Sequence, residues 1–65
     1  MKFTDEQIDV AIQVESIILE KRMHVREAAA FIKKMWEGGD YEYFDSFEDY
    51  LEAIHDAEFS LLYAD

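Results

Sequence analysis

The chain has no cysteine and no proline, its only two glycines are adjacent, and residues 35–65 contain neither lysine nor arginine. Without cysteine there is no disulfide and no thiolate-bound metal, two of the usual means of stabilising a domain this small. Without proline, and with Gly38 and Gly39 side by side, the sequence marks one break and otherwise favours helix. No run approaches the roughly 18 apolar residues that a membrane span requires. The opening Met1-Lys2-Phe3-Thr4-Asp5-Glu6 lacks the basic and apolar stretches of a signal peptide, so a cytoplasmic location is expected.

What is present is apolar material in quantity. Sixty-five residues make a single domain, expected over 1–65, and a chain this short buries only about 60% of its unfolded surface. At 51% hydrophobic and 15% aromatic it is too apolar for a disordered acidic tail. The composition therefore points to dense helix packing, with self-association as a further source of burial.

The pattern predicts an all-α fold, a small antiparallel three-helix bundle with helices over about 5–22, 24–37 and 45–63. Thr4-Asp5-Glu6-Gln7 fits a capping box, and Phe3 with Ile8 fits the accompanying hydrophobic staple. Ile8, Val10, Ile12 and Val14 alternate as in a strand, but the strong cap and the lack of any turn signal favour helix. As a helix this segment has a wide apolar face: Ile8, Ile12 and Leu19 on one stripe, Val10, Val14 and Ile17 on another. Such a helix needs cover on two sides, from two other helices or from one helix and a second copy of the chain. A homodimer through the first helix is thus one expectation.

In the second helix Val25, Ala28, Ala29, Ile32, Met35 and Trp36 follow helical spacing, with Phe31 at the edge, and Gly38 or Gly39 is placed to close it. The third helix starts at Asp45 or Ser46, either of which can cap it. Phe47, Tyr50, Leu51, Ile54, Ala57, Leu61 and Leu62 form its expected inward stripe, to about Tyr63. Glu58 falls within that stripe, so it must pair with a base such as Arg22, Arg26 or Lys33, reach outward, or mark a bend.

Charge divides the chain. Residues 1–34 hold six acids and all six bases, so the net −10 belongs entirely to residues 35–65. Those residues carry ten acids: Glu37, Asp40, Glu42, Asp45, Glu48, Asp49, Glu52, Asp56, Glu58 and Asp65. The chain should repel nucleic acid and anionic membranes, and a basic partner is the natural expectation. Asp45, Glu48, Asp49, Glu52 and Asp56 are expected on the outward face of the third helix. Asp45, Asp49, Glu52 and Asp56 would be separated by axial steps of roughly 4.5–6 Å. Duplex DNA places phosphates every 3.4 Å of axis on each strand, so such a ridge could fill a groove lined with Lys and Arg. Like charges three or four apart cost a helix about 0.2–0.5 kcal/mol per pair, which the fold alone does not require. An acidic surface for solubility is the alternative explanation, set against the loss of every Lys and Arg over 31 residues. The expected partner-binding residues are Glu37, Asp40, Glu42, Asp45, Glu48, Asp49, Glu52, Asp56 and Phe59. Phe59 would either anchor a partner or pack against another helix or a dimer mate.

No catalytic constellation emerges, and neither an enzyme nor a cofactor is expected. Glu52-Ala53-Ile54-His55 matches Glu-x-x-His, but a di-metal bundle needs two such motifs and two further glutamates. His24 reads as a helix-junction residue. Residues 40–51 lack the central glycine and oxygen spacing of a calcium loop. Val25-Arg26-Glu27-Ala28-Ala29-Ala30-Phe31-Ile32 resembles the opening helix of some helix-turn-helix DNA binders, but no basic recognition helix follows it. Asp45-Ser46-Phe47 resembles the Asp-Ser-Leu site of acyl carrier proteins, whose serine carries phosphopantetheine. Here phenylalanine replaces the leucine and only 19 residues follow Ser46, so Ser46 reads as a cap.

In size, acidity and helical build the whole chain is similar to phage-encoded DNA-mimic inhibitors, including anti-CRISPR and anti-restriction proteins. That resemblance implies an acidic half that occupies a basic DNA-binding channel of a host defence complex, carried on a scaffold supplied by the first half. The competing expectation is an antitoxin-like or transcription-regulator-like module that binds a basic protein through apolar residues such as Phe59 and the wide face of the first helix.

Overall fold

The computed structural model describes residues 2–63, without the side chain of Tyr63. Asp65, the last of the ten acids, lies outside the described residues, as does the Tyr63 side chain at the end of the expected inward stripe. The fold is all-α: α1 (Asp5–Glu20), α2 (Val25–Glu37), a 3-10 turn (Asp40–Tyr43) and α3 (Phe47–Tyr63) make a small three-helix bundle.

The capping box at Thr4 is complete. Thr4 Oγ1 accepts from the Gln7 amide, and the Gln7 side chain accepts from the Thr4 amide. With its first turn so fixed, the alternating segment is helical throughout. The helix stops at Glu20, two residues before the expected end. Met23 N–H bonds Ile18 C=O, and Arg22 N–H bonds Leu19 C=O. This is a Schellman closure, and it needs a left-handed residue, which here is Arg22 at φ 51°. His24 then caps α2, its Nδ1 accepting from the Arg26 amide.

Contacts between α1 and α3 advance in the same sense along both helices, as an up-down-up order requires. Phe3 meets Phe44 and Gln7 reaches the Tyr43 carbonyl, while Glu15 lies near His55 and Glu58. The core consists of Ala11, Val14 and Ile18 from α1, Phe44, and Tyr50, Ala53, Ile54 and Ala57 from α3. On α1 this is the middle of the wide apolar face. Of the two expected stripes only Val14 is in the core; the rest lie at its edges, with Ile8, Val10, Ile12 and Ile17 half-buried and Leu19 exposed.

The other two helices contribute less than expected. α2 has no fully buried residue: Ala28, Phe31, Ile32, Met35 and Trp36 lean on the core, but Val25 and Ala29 are exposed. On α3 the expected stripe is corrected at Phe47, Leu51, Leu61 and Leu62, all exposed, and Ala53 takes a buried place instead. Leu51 and Leu62 lie to one side of the Tyr50–Ile54–Ala57 line, and Leu61 lies beyond Ala57, the last buried residue of α3. The shape explains this. The backbone spans 30 × 28 × 15 Å, a slab too thin to enclose the whole apolar perimeter of any helix.

One end of the slab is aromatic. Trp36 packs on Phe47 and Tyr50, with ring centroids 5.3 and 5.2 Å away, and Tyr50 also meets Phe44 at 5.2 Å. This cluster ties α2 to α3, and it holds Phe47 by its edge although its outer face is wet.

Candidate interaction surface

α3 begins just after Ser46, whose Oγ accepts from the Asp49 amide at 3.1 Å. Ser46 is therefore a cap, the structural alternative to a carrier site. With that start, Tyr50, Ala53, Ile54 and Ala57 face inward. A step of 100° per residue puts Glu48, Asp49, Glu52 and Asp56 within about 100° of arc on the opposite side. Asp45 is exposed but precedes the helix, so it does not extend this row.

One of these carboxylates holds a cation, and two others add to the field around it. Lys2 Nζ bonds Glu52 Oε2 at 2.7 Å, and Asp49 and Asp56 also favour its charged form. The hydrogen bond to Glu52 foremost pushes the Lys2 ammonium above its ordinary range; lost hydration opposes this, and the charges of Glu52, Asp49 and Asp56 add smaller upward pushes. The face thus already carries an ammonium group, donated from the other end of the chain.

The remaining acids are distributed differently. Glu37 is exposed at the last position of α2, and Glu42 is exposed in the 3-10 turn. Asp40 serves the fold: it is half-buried and accepts from the Tyr50 hydroxyl at 2.6 Å. Burial first, and then Asp40, push that hydroxyl far above the ordinary tyrosine range. Glu58 reaches outward; among the described residues it forms no ion pair with Arg22, Arg26 or Lys33. Phe59 is 63% exposed, on the same arc as Glu52.

The buried acid is Glu15, at 4% exposure, which the charge pattern does not single out. It occupies the middle of the apolar face of α1, three residues after Ile12 and three before Ile18. Its helical position is the only sequence signal that could have found it. Burial raises its pKa above the ordinary 4.5, Glu58 adds to the rise, and His55 opposes it. Among the described residues no group of three acids, histidines or cysteines is arranged to hold a metal ion, although Glu15, His55 and Glu58 are neighbours.

Between α1 and α3 runs an open groove of about 510 Å³, with Ile8 and Ile12 on one wall and Ala53, Ala57 and Phe59 on the other. Lys2 and Asp56 lie at its margin. A smaller depression of about 240 Å³ adjoins it across Phe59, bounded by His55, Glu58 and Leu62. None of the described helices is long and apolar enough to cross a membrane. Comparison with known proteins gives no relative: no family model, no curated protein and no solved structure matches the chain.

Proposed function

We propose that this chain is an acidic inhibitor that binds a basic nucleic-acid-binding protein in place of DNA, with the outer face of α3 as the binding surface. The observation that carries this reading is Lys2: Glu52 bonds its ammonium, and Asp49 and Asp56 add to the field around it, as phosphates would around a lysine of a nucleic-acid-binding cleft. The expected setting is the DNA-binding channel of a host defence complex such as CRISPR-Cas, in the cytoplasm of the host, with Glu37, Glu42, Asp45 and Glu48 widening the anionic field. Capture from a host lysate at low and then high salt tests it. A basic DNA-binding protein should be retained at low salt and released as salt rises, because phosphate-like contacts are strongly salt-dependent.

A second reading is favoured by the groove. Phe59 is largely exposed and Ile8 and Ile12 are only half covered, as in a regulatory module that binds a basic protein through apolar and acidic contacts without imitating DNA. Retention of the partner at high salt supports this second reading over the first.

A further inference from the structure

We propose that the groove between α1 and α3 seats a cationic amphipathic helix of the partner. The inference rests on the reading that the partner is basic, and it adds the element by which that partner is held. The groove is lined by Ile8 and Ile12 of α1 and by Ala53, Ala57 and Phe59 of α3, and a second depression, on α3 alone, adjoins it at Phe59 and ends at Leu62. An apolar trough that opens onto a half-polar depression suits an amphipathic helix, whose apolar stripe is edged by polar side chains.

Charge selects the occupant. Asp56 and Lys2 border the first depression, with Glu52 paired to Lys2 and Asp49 one turn before Glu52, and Glu58 borders the second. An acid thus borders each depression, and the surrounding face of α3 is net negative. An apolar stripe edged with Lys or Arg complements that arrangement. A second copy of this chain does not, since each copy adds a net −10 to the other.

The test is titration of the isotopically labelled chain with three helical peptides of about 16 residues, followed by amide chemical shifts. The first has a leucine stripe flanked by lysines, the second the same stripe flanked by glutamates, and the third the first composition scrambled. The lysine-flanked stripe should shift Ile8, Ile12 and Ala57. The scrambled peptide should move only signals near Asp49, Glu52 and Asp56, and the glutamate-flanked one should not bind. Phe59→Ser, at an exposed site, and Ile12→Gln should each weaken the first peptide about tenfold while circular dichroism stays unchanged.

Identical shifts from the striped and scrambled peptides, confined to the acids, overturn the groove and leave the acidic face standing. Equal binding of the glutamate-flanked stripe overturns the cationic occupant. A dimer in sedimentation that Ile12→Gln dissociates assigns the groove to a second copy and overturns the proposal. Shifts from the striped peptide with none from the scrambled one support the groove and count against the acidic face as a site on its own.

Discussion

The Tyr50 hydroxyl donates to an Asp40 carboxylate oxygen at 2.6 Å, so an acid from the anionic half of the chain fixes a fully buried aromatic side chain. The bond links the 3-10 turn to α3 and holds Tyr50 among Trp36, Phe44 and Phe47. Tyr50→Phe keeps the ring but leaves the half-buried carboxylate without its donor. It should cost about 1–2 kcal/mol in denaturant unfolding. Partner binding should be unchanged, because Asp40 is occupied within the fold.

Glu15 makes stability depend on pH in an unusual direction. Its folded pKa is raised above 4.5 by burial, so the folded state holds its proton more tightly than the unfolded state. No penalty is present below the unfolded pKa. As pH rises from there through the folded pKa, this group makes the fold progressively less stable. Glu15→Gln should therefore raise the melting temperature at pH 7 by roughly 5 °C and leave it nearly unchanged at pH 4. Melting curves at both values check this, and an equal effect at the two would show that charge is not the cause.

Arg22 carries the strain of the α1 closure. A non-glycine residue at φ 51° costs about 1 kcal/mol relative to glycine, and Arg22 is exposed and forms no ion pair among the described residues. Arg22→Gly should raise the melting temperature by about 4–8 °C. Gly39→Ala should lower it, since Gly39 sits at φ 147°, where a side chain is strained even with nothing within 4 Å.

Much of the fold was legible in the sequence, because its signals are local. The Thr4–Gln7 box, the Ser46 cap and the paired glycines each act within a few residues, and each lies where an element starts or stops. What was not legible depends on how thickly the helices pack. Periodicity puts Leu61 and Leu62 on an inward stripe but does not reveal that cover ends at Ala57. It places Glu58 inward, whereas the acid actually enclosed is Glu15. The candidate surface was half legible for the same reason. A run without bases marks the acidic half, but only the folded chain brings Lys2, fifty residues away, onto Glu52.

That long-range pair has a consequence for binding. Lys2 competes for the carboxylates offered to a partner, so Lys2→Gln should tighten binding severalfold at low salt and by less at high salt. Both groups are exposed, and fold stability should barely change. Calorimetric titration of the captured partner at two salt concentrations reads the difference.

The most direct measurement is competition between this chain and duplex DNA for the captured partner, using the wild type and the variant Asp49→Lys, Glu52→Lys, Asp56→Lys. With carboxylates of α3 standing in for phosphates, duplex DNA displaces the wild type, and the folded triple variant fails to bind. A folded triple variant that holds the same partner as firmly, alongside DNA rather than in place of it, would contradict that.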